Sequence, residues 1–324
     1  MSTRAFIYFH RSCFDGVVSA ALCGEVLSRR WGAKRFAYRA VGYEMRDVWL
    51  NTRLPARSAV VDFLFHPSAE FWADHHPTTF LPPLSQLSIA SPSPDGKWIY
   101  DPSAPSCASV LRSELCKLAE GRAAWYADTV AWCDKIDSAA YESAEEAVLS
   151  DAPAIQISRA LAAETSRSRI RRVIQQLAIV GLPEIARTPW IRATWQMLAA
   201  RGARALGLFR QACRVLDGVV AFEVSGVATY ASRYAPFYFF PSADYSVGLV
   251  NHGSYSKVTA MRNPWKNFPS AHIGEIFTQW GGGGHERVGS AIFQSKNLGC
   301  AREALDDVVR RLRVSPSSSR ALAQ

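Results

Sequence analysis

Carboxylate and imidazole side chains recur in four clusters in the first half of the sequence. In chain order these are His10 with Asp15, Asp62, the run Asp74-His75-His76, and Asp134 with Asp137. Mixed imidazole and carboxylate ligands suit divalent cations such as Mn²⁺, and Zn²⁺ less exclusively. Any one cluster has a simpler explanation, since a lone aspartate at a helix start, such as Asp15, is often a cap. The four together, in this order, predict a divalent-metal centre.

Strand-length apolar segments position the first three clusters. The sequence predicts strands over 4–9, 36–41, 57–62 and 71–74, and helices over 15–30, 106–118 and 123–140. This alternation is typical of an α/β fold with a doubly wound parallel sheet. Ligands of such sheets gather beyond the carboxyl ends of the strands. Clusters that are far apart in the sequence are therefore expected to converge on one crevice.

The chain changes character after Gly207, which predicts a second, smaller α/β domain. Its expected strands are 219–224, 228–231, 245–251, 256–261 and 290–293, and its expected helices are 273–280 and 301–313. Residues 141–205 between the two domains are predicted to be mostly helical. The last residues, 314–324, are rich in serine and predict a disordered tail.

A glycine run from Gly281 to Gly284, followed by His285, is the distinctive motif of the second domain. Successive glycines let the backbone approach a ligand closely and direct N–H groups at an anion, although a plain turn before the last strand is the simpler alternative. We predict that the run grips a phosphate and that a nearby cation assists it. The predicted substrate-binding residues are Gly282, Gly283, Gly284, His285 and Arg262.

Composition narrows the class of protein. The 324 residues are 48% hydrophobic and 20% charged, which excludes a disordered or collagen-like chain. No apolar run is long enough to span a bilayer, so we expect no membrane association. Seven scattered cysteines without a Cys-x-x-Cys pair favour a reducing, cytoplasmic location over a disulfide framework. A net charge of +9 favours anionic partners such as nucleotides or nucleic acid.

The motifs resemble those of the DHH phosphoesterase superfamily. The matching segments are His10-Arg-Ser-Cys-Phe-Asp15-Gly16, Val60-Val-Asp62-Phe, Asp74-His75-His76 and Gly281-Gly-Gly-Gly-His285-Glu. The last is similar to the signature of the associated C-terminal domain in RecJ-like exonucleases, nanoRNases and pAp phosphatases. The resemblance covers about residues 4–140 and 245–293, and the ordered set of motifs is specific.

The resemblance implies a two-metal site, usually loaded with Mn²⁺, with Mg²⁺ or another divalent ion as the alternative. Asp62 would bridge the ions, with His10 and Asp15 on one side and with His75 and Asp134 on the other, and Asp15 could serve either ion. Asp74 would orient an imidazole, and His76 would face the scissile phosphate. The implied domains are a catalytic domain over 1–185, a helical linker over 186–206 and a substrate-binding domain over 207–313, with the active-site cleft between the two domains.

The sequence departs from the family pattern at Cys13, where many members carry a further aspartate. A thiolate suits Mn²⁺ poorly, so we expect Cys13 to be inert and the first metal to depend on His10. The fourth motif is also loose, and we favour Asp134 over Asp137 as its ligand.

The implied function is a metal-dependent phosphoesterase (a hydrolase) acting on a short nucleic acid or a small phosphorylated nucleotide. The alternative is a catalytically impaired nucleotide-binding or regulatory protein on the same fold, supported by the Cys13 departure alone. A third hypothesis is a scaffold protein that binds nucleic acid through its net charge of +9. The sequence is also compatible with a homodimer.

Overall fold

A computed structural model of the chain describes residues 4–11, 13–84, 93 and 95–313, apart from the side chain of His285. The chain divides into a first unit, Met1–Ala140 with Asp151–Gln196, and a second unit, Tyr141–Ser150 with Met197–Gln324. The division near residue 196 falls within one helix, Pro189–Gln211, which spans most of the expected helical linker over 186–206. The expected disordered tail, 314–324, lies outside the described residues.

In the described ranges of the first unit, five strands form one parallel sheet. They are β1 (Arg4–His10), β2 (Arg35–Val41), β3 (Ser58–Val61), β4 (Phe71–Asp74) and β5 (Trp98–Tyr100). Their order is β2-β1-β3-β4-β5, and each neighbouring pair is parallel. The chain progresses in opposite directions on either side of the β1–β3 pair. This pair is therefore a topological switch point, where an open α/β sheet forms its ligand crevice.

Two apolar clusters cover opposite faces of this sheet. Ala59 and Val61 of β3 belong to one cluster, which includes the apolar side of the first helix. Val60, between them, belongs to the other, with Trp49 and Trp72. Since successive strand residues point to opposite faces, both faces of β3 are buried, as expected for a doubly wound sheet. The α/β prediction for this unit is confirmed.

The helices are distributed over both units. In chain order they are α1 (Phe14–Trp31), α2 (Cys107–Leu118), α3 (Glu120–Trp125), α4 (Ala127–Asp137), α5 (Ala144–Leu149), α6 (Pro153–Ala162), α7 (Arg167–Leu177), α8 (Leu182–Ala186), α9 (Pro189–Gln211), α10 (Ala235–Phe239), α11 (Ile273–Thr278) and α12 (Leu298–Arg313). Short 3₁₀ helices cover Tyr43–Asn51, Gly226–Tyr230 and Ser295–Asn297. Among the described residues, no helix combines the length and the apolar character that crossing a membrane requires.

The second unit is built on a mixed sheet. Its strands are β6 (Cys213–Leu216), β7 (Val219–Ser225), β8 (Tyr245–Asn251), β9 (Tyr255–Arg262), β10 (Gly283–His285) and β11 (Val288–Gln294), in the order β10-β11-β9-β8-β7-β6. Only the β7–β8 pairing is parallel within this described sheet. The strand expected over 228–231 is wrong, because that segment belongs largely to a 3₁₀ turn between β7 and β8.

Candidate metal centre

The carboxyl edge of the first sheet brings three of the predicted clusters together. His10 is the last residue of β1, Asp62 follows β3 directly, and Asp74 ends β4. Asp62 adopts a left-handed backbone conformation, with φ of 51°, and is completely buried. Neither of its carboxylate oxygens has a hydrogen-bond partner. A buried carboxylate without partners is costly, so its environment requires a compensating positive charge.

Helix α1 approaches this edge through Gly16. A Cβ at this position would lie 2.2 Å from the carbonyl oxygen of His10 and 3.0 Å from Oδ2 of Asp62. Glycine is therefore the residue that lets the first turn of α1 contact the ends of β1 and β3. This contact explains on steric grounds why glycine follows Asp15 in the first motif.

Replacing Gly16 with alanine is expected to lower the free energy of unfolding by roughly 1–3 kcal/mol, the usual cost of overpacking a rigid site. Urea unfolding measures this change. Gly202→Ala in α9 is the matched control, because nothing lies within 4 Å of its added Cβ and alanine favours a helix by up to about 1 kcal/mol. An equal response of the two variants would contradict the packing argument.

Asp15 joins α1 to the start of α2. Its carboxylate accepts hydrogen bonds from the backbone N–H groups of Cys107 and Ala108, at 2.8 and 2.9 Å, and from the hydroxyl of Ser19 at 3.2 Å. Burial, together with the charge of Asp137, raises the pKa of Asp15 to about 6 despite these bonds. Several acidic groups therefore share a space that has too little positive charge.

The two histidines of the third motif are held through their Nδ1 atoms. Nδ1 of His75 lies 3.0 Å from the carbonyl oxygen of Ala104, and Nδ1 of His76 lies 2.9 Å from Oδ1 of Asp74. Donation from Nδ1 leaves Nε2 of each ring as the atom available for a metal or a substrate. Nε2 of His75 faces the carboxylate oxygens of Asp137 and Asp15, at 3.3 and 3.8 Å.

The surroundings of the three imidazole rings shift their pKa values in different directions. Burial lowers the pKa of His75, but its bond to Asp137 and the charge of Asp15 outweigh this effect and raise it to about 9. Burial also opposes protonation of His76, yet the bond to Asp74 raises the pKa of His76 overall. Burial, followed by the nearby His76, lowers the pKa of His10 and keeps that ring neutral.

The structure brings Asp137, rather than Asp134, to the fourth position. Oδ2 of Asp137 lies 3.3 Å from Nε2 of His75. Asp134 lies one helical turn earlier, and its carboxylate accepts hydrogen bonds from Ser106 at 2.5 Å and from Ser109 at 2.7 Å. The oxygens of Asp134 thus hold the start of α2, and we propose Asp137 as the ligand in its place.

Among the described residues, three groups of side chains have ligand atoms within 4.8 Å of one another: Asp62 with Asp74, His75 and His76; His10 with Cys13 and Asp62; and Asp15 with His75 and Asp137. Asp62 and His75 each belong to two groups. Burial and the charges of Asp15 and Asp74 raise the pKa of Asp62 well above its usual range. The two oxygens of Asp62 without hydrogen-bond partners and the repulsion among these carboxylates together fit a pair of divalent cations.

Two aromatic side chains that no sequence motif predicted flank His10. The His10 ring centroid lies 5.1 Å from that of Tyr43 and 6.2 Å from that of Phe63. Phe63 follows Asp62 in the sequence, but Tyr43 comes from the 3₁₀ helix after β2. No local pattern marks Tyr43, since only the β1–β2 pairing brings it to His10.

The glycine run of the second unit forms a hairpin with the last strand. A Cβ at Gly282 would lie 2.2 Å from the carbonyl oxygen of Ser290, and one at Gly284 would lie 2.2 Å from that of Val288. Contact with β11 thus accounts for these two glycines, whereas nothing lies within 4 Å of a Cβ at Gly283. The side chain of His285 lies outside the described part of the structure.

The sequence predicts that Arg262 binds substrate. In the structure most of its side chain is buried in packing contacts. It is 8% exposed, its guanidinium donates to the carbonyl oxygen of Phe268 at 3.0 Å, and it lies 4.4 Å from the centroid of that ring. These contacts fold the segment after β9 back onto the sheet. We therefore assign Arg262 to the architecture of the second unit and remove it from the candidate substrate site.

The sequence matches no protein-family model and no curated protein. Among solved structures it is similar to PggH, a pGpG-specific phosphodiesterase from Vibrio cholerae, with a TM-score of 0.70 and 17% identity over 96% of this chain and 100% of that one. It is also similar to Mn²⁺-bound RecJ from Thermus thermophilus, with a TM-score of 0.58 and 13% identity over 96% of this chain and 52% of RecJ.

A third similar structure is an exonuclease RecJ bound to manganese, with a TM-score of 0.54, 16% identity, and coverage of 99% of this chain and 93% of that one. Identities this low carry information about the fold alone. The chain has the DHH, RecJ-like fold, a mixed α/β architecture with a parallel five-stranded sheet and a second sheet. The resemblance seen in the sequence motifs is confirmed at the level of the fold.

Proposed function

We propose that the protein is a divalent-metal-dependent phosphoesterase that hydrolyses short oligonucleotides or small phosphorylated nucleotides. The observation that carries this proposal is Asp62, a fully buried carboxylate with two unpartnered oxygens. It belongs to two groups of potential ligands at the switch point of the sheet. The phosphodiesterase and manganese-bound exonuclease among the similar structures support the same chemistry.

The proposed metal ligands are His10, Asp15, Asp62, His75 and Asp137. A bound pair of divalent cations would supply an activated water at neutral pH and neutralise charge on the phosphate. Mn²⁺ fits the mixed nitrogen and oxygen donors of Asp15, His75 and Asp137. The carbonyl of Ala104 holds the His75 ring, and so directs its Nε2 toward the carboxylate oxygens of Asp15 and Asp137, 3.8 and 3.3 Å away.

His76 is the proposed catalytic residue, and Asp74 is proposed to position its ring. Oδ1 of Asp74 accepts from the backbone N–H of His75 at 2.8 Å and pairs with Nδ1 of His76 at 2.9 Å. These bonds fix the orientation of the His76 ring and favour its protonated form. A protonated His76 can donate from Nε2 to an anionic phosphate oxygen and stabilise charge that develops there. Asp74 acts through the ring of His76 and is a positioning residue.

Substrate recognition is proposed to use the glycine run and His285 together with the overall positive charge. Nothing lies within 4 Å of a Cβ at Gly283, which leaves space for a ligand beside this residue, and a net charge of +9 raises the local concentration of anionic substrates. The guanine dinucleotide named for PggH makes linear dinucleotides the first substrates to test.

Removal of the metal is expected to reduce hydrolysis to background. We would incubate 5′-labelled di- to heptanucleotides, linear guanine dinucleotide and pAp with the protein in Mn²⁺, Mg²⁺ or a chelator. Release of mononucleotide or inorganic phosphate should require the divalent ion and return when excess Mn²⁺ is added. Tight nucleotide binding without turnover in either metal would instead support the impaired nucleotide-binding alternative.

A further inference from the structure

Cys13 occupies a position that helix capping does not explain. It precedes α1 in an extended conformation, with φ of −114° and ψ of 137°, and its side chain caps no backbone N–H. Ser, Thr, Asp and Asn are favoured at this position because their oxygens accept such a bond. Capping of α1 therefore does not account for a cysteine at this position.

The ligand atoms of Cys13, His10 and Asp62 lie within 4.8 Å of one another. The second, independent observation at this place is Asp62 itself, which is completely buried and has no partner for either oxygen. Sulfur, nitrogen and oxygen donors thus lie close together beside a buried carboxyl group that has no hydrogen-bond partner. Among the groups of potential ligands in the described residues, this one alone contains a cysteine.

The other cysteines have different surroundings. Cys107 donates to the carbonyl oxygen of Ala73 at 3.3 Å, and Cys23 and Cys133 are buried in the apolar core of the first unit. Cys116 is exposed on α2. Cys116 therefore provides a control thiol in the same unit.

We propose that Cys13 is a metal ligand, and that with His10 and Asp62 it makes one metal position selective for thiophilic divalent cations such as Zn²⁺. This inference rests on the proposed function in that it concerns the same centre. On binding, the thiol releases its proton to solvent and a sulfur–metal bond forms. Thiolate favours Zn²⁺ over Mn²⁺, whereas Asp15, His75 and Asp137 offer only oxygen and nitrogen. The two positions therefore differ in preference, and Cys13 is not inert.

Co²⁺ provides a test that is independent of activity. Titration of the metal-free full chain with Co²⁺ should produce a thiolate-to-cobalt charge-transfer band in the near ultraviolet. The band should disappear in Cys13→Ser and in Cys13→Asp, and persist in Cys116→Ser. Competition with a chromophoric chelator should show Zn²⁺ affinity weakened by at least roughly tenfold in Cys13→Ser, with a smaller effect on Mn²⁺.

A band that is absent from the wild-type protein with Co²⁺ bound, or that persists in both Cys13 variants, overturns the proposal. Cys13→Asp supplies a hard ligand, so it keeps the test usable if Cys13→Ser fails to fold. The experiments distinguish a failure of the Cys13 proposal from a failure of the proposed phosphoesterase function. A Cys13-dependent band without hydrolysis of any substrate refutes the phosphoesterase function alone, and Mn²⁺-dependent hydrolysis without the band refutes the Cys13 ligand alone.

Discussion

Asp62→Asn is expected to lower the Mn²⁺-dependent rate of hydrolysis by on the order of a thousandfold or more, since each metal-bound charge contributes several kcal/mol to transition-state stabilisation. Oδ2 of Asp62 lies 3.7 Å from Nδ1 of His10, and Oδ1 of Asp62 lies 3.6 Å from Nδ1 of His76. Loss of this carboxylate therefore affects both sides of the proposed centre. Asparagine is preferable to alanine here because it tolerates the left-handed backbone at φ of 51°.

Single-turnover hydrolysis at saturating Mn²⁺ measures this effect. Asp128→Asn is the matched control, because Asp128 is exposed in the first turn of α4 and lies in none of the ligand groups of the described residues. Its rate should equal that of the wild type. An active Asp62→Asn variant would remove the central residue from the proposed mechanism.

The same substitution is expected to stabilise the metal-free protein. In the absence of cations Asp62 is buried among acidic groups without a hydrogen bond, and relieving one such group contributes about 1–3 kcal/mol. Urea unfolding in chelator should therefore give a higher midpoint for Asp62→Asn, whereas Mn²⁺ should raise the midpoint of the wild type more. This pattern, stability gained where function is lost, is typical of a binding site. A lower midpoint in chelator would contradict it.

The direction of the pH dependence follows from the same group. Burial and the charges of Asp15 and Asp74 raise the pKa of Asp62 in the folded protein well above its usual range. The folded chain then keeps a proton that the unfolded chain releases above about pH 4. The contribution of Asp62 to the stability of the metal-free wild type therefore falls as the pH rises from there through the raised pKa. The advantage of Asp62→Asn should grow over the same interval.

Local patterns predicted the first sheet well, for identifiable reasons. Buried parallel strands such as β3 are short apolar runs, and the polar residues that follow them lie at one edge once the strands are parallel. The order of the motifs therefore indicated that His10, Asp62 and Asp74 would converge. Gly16 was recognised as part of a motif, but its steric contact with the His10 carbonyl depends on the approach of α1 and leaves no trace in the sequence.

Local sequence patterns could not predict the features that depend on tertiary packing. Arg262 follows a strand and carries a charge, yet Phe268 covers its guanidinium. The segment 228–231 has the composition of a strand but no partner in the sheet order, so it folds largely as a 3₁₀ turn. Asp134 and Asp137 differ by about one helical turn, and only the positions of Ser106 and His75 distinguish them.

Asp137→Asn is expected to weaken Mn²⁺ binding by roughly 10–100-fold or more, and Asp134→Asn by less than about tenfold, because only the first removes a proposed ligand. Asp137 lies 3.3 Å from Nε2 of His75. Asp134 instead bonds Ser106, the residue whose hydroxyl caps α2 by accepting from the N–H of Ser109 at 3.0 Å.

Isothermal titration with Mn²⁺ and urea unfolding in chelator separate the two roles. Asp134→Asn should lower the free energy of unfolding by about 1 kcal/mol, since an amide cannot accept both serine hydroxyls as a carboxylate does. Asp137→Asn should change the free energy of unfolding of the metal-free protein less, because the loss of its bond to His75 is offset by the loss of its repulsion with Asp15. The reverse ranking in both measurements would restore Asp134 as the ligand and would require α4 to rotate on metal binding.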